Sequence, residues 1–250
     1  MSYTLDQLPV LILAGGLGTR LRPMVADRPK CMAPVGDSIF LEIIIKLLKQ
    51  QGVKRFIMCI GYKGEMVSEY FGSGDSLEVE INYSDEGEQL MGTAGAIRKA
   101  LPLIGERAVV INGDTYFAIS YADLLAKHEL YAGEEGLQLT VALSQKEDCS
   151  QCGSVSLNQF KDRVTGFFEK GTQPDGSAGW VNAGVYVMER AFVERIPTGM
   201  PRSLERDSIP AEIDSGRLPG AYLARAPFFD IGTPTSLEAF RRYFGEINRG

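Results

Sequence analysis

The stretch PVLILAGGLGTRLRPMVADRPK spans residues 9–30 and joins a short apolar run to a glycine-rich, basic segment. The run PVLIL (9–13) is typical of a strand that is buried on both faces of a sheet. Flexible backbone and positive charge then follow, in AGGLG (14–18), Arg20, Arg22 and Lys30. Because ligands of open α/β sheets bind beyond the carboxyl ends of the strands, this order predicts a backbone cradle for an anionic group.

Two well-known phosphate loops are excluded by the spacing of this segment. A Walker loop needs a lysine directly after its last glycine, and none follows these glycines at that spacing. The dinucleotide fingerprint GxGxxG fails because the stretch GLGTRL (16–21) ends on leucine. Taken alone, the glycines also fit an ordinary tight turn between a strand and a helix, so both interpretations stay open at this point.

The composition limits the classes of partner. The chain has 26 basic and 32 acidic residues, which gives a net charge of −6. A chain this acidic is a poor general binder of nucleic acid, so the early basic cluster indicates a local anionic ligand. No amino-terminal signal is recognisable and PVLIL is far too short to span a membrane, so we expect a soluble, cytoplasmic protein without a membrane partner.

Periodicity predicts an α/β fold. The first half alternates short apolar runs with longer amphipathic segments, which indicates βαβ units and a mostly parallel sheet with helices on both faces. The predicted strands lie at 9–13, 55–62, 79–84, 108–114 and 137–144, and the predicted helices at 39–52, 64–71, 93–104 and 120–133. In the second half we expect a hairpin (153–158 with 163–170), a strand (180–188) and a last helix (236–244).

Five groups of residues, in a fixed order, carry a family resemblance. They are GTRLRP with Lys30, GTAGA (92–96), NGD (112–114), FFEK (167–170) with VNAG (181–184), and FFDIGTP (228–234). This series resembles the sugar-1-phosphate nucleotidylyltransferase family, whose members join a nucleoside triphosphate to a sugar 1-phosphate and release pyrophosphate.

The resemblance implies the nucleotide-diphospho-sugar transferase fold, a Rossmann-like, mostly parallel sheet flanked by helices, with an antiparallel sugar-binding extension. We therefore expect a single nucleotidyltransferase domain over 1–250. Its parts would be a nucleotide-binding part (about 8–145), a sugar-binding part (about 146–235) and a carboxyl-terminal helix (236–250).

Site residues are also implied by the resemblance. Arg20 would hold the β- and γ-phosphates, Lys30 the reacting phosphates and Lys170 the phosphate of the sugar, so these three are predicted as catalytic together with Asp114. The predicted nucleotide-binding residues are Leu13, Ala14, Gly15, Gly16, Gly18, Thr19, Gly92 and Thr93. The predicted sugar-phosphate-binding residues are Gly113, Glu169, Lys170, Asn182 and Gly184.

A Mg²⁺ site is predicted at Asp114 and Asp230. Each follows an apolar run, and a carboxylate at the end of a strand is a natural ligand of Mg²⁺. For Asp230, a turn-capping role before Gly232 is the alternative. The last pair of cysteines, Cys149 and Cys152, is interpreted as ordinary reduced thiols, since the chain offers one histidine and too few further ligands for zinc.

The choice of substrate depends on a smaller set of residues. The run VADRPKCMAPV (25–35) and SLERD (203–207) resemble members that use GTP and D-glycero-α-D-manno-heptose 1-phosphate. The alternatives are a hexose 1-phosphate such as mannose or glucose 1-phosphate with GTP, UTP, CTP or dTTP, and a non-catalytic sensor of nucleotide sugars. The oligomeric state is left open between monomer and homodimer.

Overall fold

The computed structural model describes residues 3–21, 24–146, 154–168 and 179–248. The predicted sugar-phosphate ligands Glu169 and Lys170, and the pair Cys149 and Cys152, lie outside these residues. Among the described helices, we find none with the length and apolar character that crossing a membrane requires.

The helices and strands follow the alternation that the sequence predicts. The strands are β1 (Pro9–Leu13), β2 (Pro34–Val35), β3 (Ser38–Ile39), β4 (Arg55–Ile60), β5 (Glu80–Asp85), β6 (Arg107–Asn112), β7 (Thr115–Phe117), β8 (Leu139–Lys146), β9 (Ser154–Leu157), β10 (Val164–Phe168), β11 (Gly179–Glu189), β12 (Gly220–Ala224) and β13 (Phe228–Asp230). The helices are α1 (Phe40–Gln50), α2 (Gly64–Phe71), α3 (Gly92–Lys99), α4 (Tyr121–Glu135), α5 (Arg190–Arg195), α6 (Ile209–Asp214) and α7 (Pro234–Ile247).

Seven of the described strands form the central sheet, in the order β12-β8-β11-β6-β1-β4-β5. The pairs β6-β1, β1-β4, β4-β5 and β8-β12 are parallel, so the prediction of a mostly parallel α/β sheet is confirmed. The predicted hairpin is present as the antiparallel pair β9-β10. Two strands of the second half also belong to the central sheet. The predicted strand at 180–188 is β11, which lies antiparallel between β6 and β8, and β12, which was not predicted, pairs with β8 at the edge.

Apolar side chains cover both faces of this sheet. In β1, Val10 and Ile12 belong to one buried cluster and Leu11 to the other. Successive side chains of a strand point to opposite faces of the sheet, so a run that is apolar at every position is buried on both faces. The burial of both faces explains why PVLIL carries no polar residue.

The register of the strands brings two loops together. Leu13, the last residue of β1, pairs with Asn112, the last residue of β6. The Gly113 N–H donates a hydrogen bond of 2.9 Å to the Leu13 carbonyl, and a Cβ on Gly113 would fall 2.7 Å from that oxygen. Glycine at 113 therefore lets the loop that carries Asp114 lie against the glycine-rich segment.

A buried polar cluster fixes β11 at the opposite end of the sheet. Glu189, at the end of β11, lies 2.6 Å from an Arg107 guanidinium nitrogen and 3.0 Å from His128 Nε2. His128 Nδ1 lies 2.8 Å from the Thr140 hydroxyl, so the ring joins α4 to β8 and β11. Burial lowers the pKa of His128 below its ordinary value, although the hydrogen bond to Glu189 opposes the shift.

The pH dependence of stability should reveal this buried ring. Below pH 6.5 an unfolded His128 binds a proton that the folded protein does not, so stability is lost as the pH falls. We expect urea unfolding between pH 7.5 and pH 5.5 to show a steeper loss for the wild type than for His128→Gln, by up to about 1.4 kcal/mol per pH unit. Other groups titrate in both proteins and cancel in the difference. Parallel pH profiles for the two proteins would contradict this expectation.

Candidate active site

A cavity of about 270 Å³ opens at the carboxyl ends of β1 and β6, beside the first turn of α3. Nine of the residues predicted from the sequence line it, namely Leu13, Ala14, Gly15, Gly16, Lys30, Gly92, Thr93, Gly113 and Asp114. The other lining residues are Cys31, Glu86, Leu90, Ala96 and Asn112. Gly18, Thr19 and Arg20 lie in the turn that follows the lining residues of the glycine-rich segment.

At two positions of this segment, neighbouring atoms leave no room for a side chain, so only glycine fits. A Cβ on Gly15 would fall 2.3 Å from Glu86 Oε1 and 3.1 Å from the Gly61 nitrogen. Gly18 has a φ of 57°, and a Cβ there would fall 2.9 Å from the Cβ of Lys30. Glycine at these two positions therefore lets Glu86 and Lys30 approach the backbone of the loop.

The cation predicted to bind the reacting phosphates, Lys30, forms an ion pair with Asp114 in the cavity. Both side chains are largely buried, with about one fifth of their surface exposed. Burial alone would raise the pKa of Asp114, but the charge and hydrogen bond of Lys30 outweigh it and hold that pKa below its ordinary value. An ammonium group has three donors, so Lys30 can bind a phosphate oxygen while it keeps this pair.

Asp230 faces the same pair, although it is distant in sequence. The short strand β13 pairs with β7, which places Asp230 opposite Thr115, and the Ile231 N–H donates a hydrogen bond of 3.0 Å to the Asp114 carbonyl. The carboxyl groups of Asp114 and Asp230 are in hydrogen-bonding range. Asp230 is an exposed residue by surface area, yet the protein atoms around its carboxyl group limit its hydration. This desolvation and the negative charge of Asp114 raise the pKa of Asp230 to about 6.

Arg20 reaches the same region from the other side. Its Nη2 atom lies 2.9 Å from the position that a Cβ on Gly232 would take, and Asp230 Oδ1 lies 2.8 Å from that position. The Gly232 N–H donates a hydrogen bond of 2.7 Å to Asp230 Oδ1. Residues from the two ends of the chain therefore meet here, and the absence of a side chain at Gly232 leaves room for the guanidinium.

The two carboxylates fit a hard divalent cation. Carboxylate oxygens are the ligands that Mg²⁺ prefers, and a cation would relieve the repulsion that raises the pKa of Asp230. Among the residues that the structure describes, no group of three or more His, Cys, Asp or Glu side chains could hold a metal ion. A metal bound at Asp114 and Asp230 would therefore need further ligands from the substrate and water.

The start of α3 contributes backbone rather than a free hydroxyl. The Thr93 Oγ1 accepts a hydrogen bond of 2.7 Å from the Leu204 N–H and donates one of 3.1 Å to Glu205. Gly92 has a φ of 71°, and a Cβ there would fall 2.4 Å from the Arg202 carbonyl oxygen. The assignment of Gly92 and Thr93 to nucleotide binding stays a prediction, but the proton of the Thr93 hydroxyl is already engaged.

The predicted sugar-side residues lie on β11. The Asn182 amide donates a hydrogen bond of 2.6 Å to the Tyr186 hydroxyl, and Asn182 Oδ1 accepts one of 3.0 Å from the Gly184 N–H. Gly184 has a φ of 66°, and a Cβ there would fall 2.5 Å from the Asn112 amide nitrogen. Asn182 and Gly184 thus shape an irregular point of β11 beside the cavity wall, and their sugar-binding roles stay predictions.

Of the five lining residues that were not predicted from the sequence, Asn112 and Glu86 carry side chains that can hydrogen-bond strongly to a ligand. Asn112 is part of the NGD motif, and its buried Oδ1 has no hydrogen-bond partner among the described residues. That motif could have indicated it. Glu86 belongs to the acidic run DEGE (85–88), which looks like a solvated turn, so no local signal marks it.

Comparison with known proteins agrees with this geometry. The model of the nucleotidyl transferase family matches residues 9–244. The chain belongs to this family. It is therefore a nucleotidyltransferase, and enzymes of this family generally use a divalent metal.

Three relatives extend the comparison. The chain is 36% identical to D-glycero-alpha-D-manno-heptose 1-phosphate guanylyltransferase of Aneurinibacillus thermoaerophilus, over 91% of this chain and 94% of the relative. It is 34% identical to mannose-1-phosphate guanylyltransferase of Mycobacterium tuberculosis, over 98% of this chain and 66% of the relative. It also resembles a crystal structure of HddC from Yersinia pseudotuberculosis complexed with GMP-PN, with a TM-score of 0.80, 28% identity, and coverage of 95% of this chain and 99% of the other.

The glycine-rich segment of this nucleotidyltransferase should tolerate no side chain at position 15. In Gly15→Ala the new methyl group collides with Glu86 and the Gly61 backbone, so the loop must shift away from the cavity. We expect kcat/KM for the nucleoside triphosphate to fall about tenfold or more, which is the effect of about 1.4 kcal/mol.

The matched control is Gly105→Ala, because a Cβ there meets nothing within 4 Å and Gly105 lies outside the cavity. Steady-state kinetics and thermal unfolding of both variants provide the measurement. An equal loss of kcat/KM in both variants, or none in Gly15→Ala, would contradict the steric argument.

Proposed function

We propose that this enzyme transfers GMP from GTP to D-glycero-α-D-manno-heptose 1-phosphate, giving the GDP-heptose and pyrophosphate. The observation that carries the choice of GTP is the Glu86 carboxylate in the wall of the cavity. Glu86 Oε2 accepts a hydrogen bond of 2.6 Å from the Met91 N–H, which fixes the carboxylate beside the glycine-rich loop. Both carboxylate oxygens retain lone pairs that can accept hydrogen bonds from a base.

The chemistry of the bases favours guanine at this position. The Watson–Crick edge of guanine presents two adjacent donors, the ring N–H and the exocyclic amino group, which match the two oxygens of a carboxylate. Uracil and thymine present one N–H between two carbonyl oxygens, so a carboxylate would face at least one acceptor. A buried polar group without a partner costs binding free energy, which makes such a mismatch a means of discrimination.

The choice of sugar is supported by the relatives. The Aneurinibacillus protein, which matches this chain over nearly its whole length, is a heptose 1-phosphate guanylyltransferase. The Mycobacterium relative uses mannose 1-phosphate, so a hexose 1-phosphate with GTP is the second candidate. Both candidates share guanine and differ in the sugar, which Asn182 and Gly184 on β11 would contact.

The reaction needs alignment and charge neutralisation rather than a protein nucleophile. A phosphate oxygen of the sugar 1-phosphate attacks the α-phosphorus of GTP, and the bond between the α-phosphorus and the bridging oxygen to the β-phosphate breaks. Lys30 would bind the α-phosphate oxygens, and Arg20 would stabilise the charge on the leaving pyrophosphate. Lys170 is assigned by resemblance to the phosphate of the sugar.

Asp114 and Asp230 would hold a divalent cation, which we propose to be Mg²⁺. When bound, the ion supplies charge neutralisation for the triphosphate. The two carboxylates alone would repel a triphosphate, whereas Lys30 already balances the charge of Asp114. Asp230 would thus contribute the charge that most needs the cation.

The choice of base can be tested with GTP, ITP and UTP. Inosine lacks the exocyclic amino group, so the wild type should prefer GTP over ITP and UTP in pyrophosphate-release assays. In Glu86→Gln one oxygen acceptor becomes an amide donor, and we expect the preference for GTP over ITP to fall about tenfold or more. Pairing each triphosphate with heptose, mannose and glucose 1-phosphates tests the sugar in the same assay.

The matched control is Glu88→Gln, since Glu88 is exposed two residues away and does not line the cavity. It should keep the wild-type preference. A preference of the wild type for UTP, or an unchanged GTP/ITP ratio in Glu86→Gln, would overturn the assignment of guanine to Glu86.

The metal site can be tested by chelation and substitution. Activity should vanish with EDTA and return with Mg²⁺ or Mn²⁺. Asp230→Asn should fold normally, and Asp114→Asn should fold with reduced stability, because its amide oxygen can still accept the hydrogen bond of Lys30 but no longer balances its charge. Both variants should lose most of their turnover and need more metal for the remainder, because each loses a charged oxygen ligand. Asp37→Asn, which changes an exposed carboxylate outside the cavity, is the control. Full activity in EDTA, or an unchanged metal requirement in both site variants, would contradict the assignment.

A further inference from the structure

The motif SLERD (203–207), which among the described residues hydrogen-bonds to the cavity lining only through Thr93, has no role in the mechanism proposed above. Its residues Leu204–Ser208 make one π-helical turn, a rare backbone form that is often found at functional sites. The turn begins at Ser203, whose side chain accepts a hydrogen bond of 3.2 Å from the Arg206 N–H. It then continues directly into α6.

This turn is bound to the start of α3 by backbone hydrogen bonds. The Arg202 carbonyl accepts a hydrogen bond of 3.0 Å from the Ala94 N–H, and the Arg202 N–H donates one of 2.8 Å to the Met91 carbonyl. The close approach is possible because Gly92 has no side chain. The segment before the turn therefore holds the backbone that forms the nucleotide side of the cavity.

Glu205 is the residue of the turn that reaches both sides of the site. Its Oε2 accepts hydrogen bonds of 3.1 Å from the hydroxyl groups of Thr93 and Ser203. Its Oε1 accepts a hydrogen bond of 3.0 Å from the hydroxyl of Tyr186 on β11. One carboxylate thus connects a lining residue of the nucleotide cavity to a strand on the sugar side.

The connection continues to a predicted sugar ligand. The Tyr186 hydroxyl accepts the hydrogen bond of 2.6 Å from the Asn182 amide, so it is fully used as donor and acceptor. Burial of the ring and the charge of Glu205 raise the pKa of Tyr186, so this hydroxyl stays protonated and donates to Glu205. The chain of contacts runs from Thr93 through Glu205 and Tyr186 to Asn182.

A purely structural role would not need this carboxylate. Tyr186 is fully buried and Leu204 packs in the same apolar cluster, so packing already holds the turn against the sheet. Partly burying a carboxylate costs solvation free energy, which three hydroxyl donors offset only while they all point at it. Such a network holds its members in one relative arrangement.

We propose that Glu205 is a positioning residue that couples the nucleotide pocket to the sugar-phosphate pocket. A nucleotide that binds best while the network is intact favours the state in which Asn182 is also in place, and a sugar phosphate bound at Asn182 favours the nucleotide in return, because coupling between two sites is reciprocal. The inference rests on the proposed sugar-binding role of Asn182, and it does not depend on which base or which sugar the enzyme prefers.

The test is a binding measurement rather than an activity measurement. The Kd of the sugar 1-phosphate is determined by calorimetry with Mg²⁺, alone and with saturating α,β-methylene GTP. In this analogue a methylene group replaces the oxygen between the α- and β-phosphorus atoms, and the bond from the α-phosphorus to that carbon is not cleaved in the transfer. In the wild type we expect the nucleotide analogue to tighten the sugar 1-phosphate about fivefold or more. The coupling factor is the Kd of the sugar 1-phosphate alone divided by its Kd with the nucleotide analogue. In Glu205→Gln at least one hydroxyl loses its acceptor, and the coupling factor should fall below about twofold.

Two further variants separate coupling from loss of structure. Tyr186→Phe removes the hydroxyl that links Glu205 to Asn182. It should lower the coupling factor while the Kd of the nucleotide analogue stays near the wild-type value. Asp207→Asn makes the same chemical change two residues along the turn, where the carboxylate accepts only the Ser203 N–H among its described hydrogen bonds, and should keep the factor.

The outcomes distinguish this inference from the proposed function. No coupling in the wild type, an unchanged factor in Glu205→Gln, or an equal loss in Asp207→Asn would overturn the role of Glu205. An unchanged Kd for the sugar 1-phosphate in Asn182→Ala would instead overturn the sugar-binding role of Asn182. If the triphosphate assays show another preferred base, the guanine proposal fails alone and the α,β-methylene analogue of that base replaces the GTP analogue.

Discussion

The ion pair between Lys30 and Asp114 is the contact on which the arrangement of the site depends. It joins the segment after the glycine-rich loop to the end of β6, and it does so with both side chains largely buried. Removing one partner of such a pair would leave a charge without compensation in a poorly solvated place, which is strongly unfavourable. The loop therefore has to follow a path that keeps Lys30 beside Asp114, and Gly18 permits that path because it places no side chain against Lys30.

The net negative charge of the chain is unfavourable for binding anionic substrates, so the site needs positive charge of its own. With a net charge of −6, the protein as a whole does not attract a triphosphate and a sugar phosphate, so positive charge has to be local. In the proposed mechanism Lys30 and Arg20 would supply it at the loop, and Asp114 and Asp230 would hold the divalent cation. Desolvation and the negative charge of Asp114 raise the pKa of Asp230, which means that two ionised carboxylates side by side are unfavourable here.

The second half of the chain acts on this site through β11. This strand is antiparallel between β6 and β8, and its far end is fixed by the cluster of Glu189, Arg107 and His128. Its central part carries Asn182 and Tyr186, and Glu205 accepts hydrogen bonds from both Tyr186 and Thr93 at the start of α3. One strand thus carries two separate polar networks, one at its carboxyl end and one beside the cavity.

Local sequence was sufficient for most elements of the first half and for the motifs, but not for β12, α5 or α6. The limits of β1 and α2 agree with the predicted 9–13 and 64–71. A short apolar run predicts a buried strand and an amphipathic period of about 3.6 residues predicts a helix, so local sequence is enough for both. The motifs likewise led to the glycine-rich loop, Lys30 and Asp114, all of which line the cavity or its rim. The motifs could not show that Lys30 pairs with Asp114, because the two residues are 84 positions apart and meet only after β1 has paired with β6 in the folded sheet.

Only the tertiary structure decided the rest. Glu86 and Glu205 look like solvated acids in polar stretches, and they acquire their neighbours from Gly15, Thr93 and Tyr186, which belong to other elements. The place of β11 in the central sheet could not be predicted from its sequence. An apolar strand has the same pattern whether it pairs parallel or antiparallel, and the pattern does not identify the neighbouring strand. Sequence period reports which faces a segment buries, whereas the choice of partner and the convergence of distant side chains depend on the packing of the whole chain.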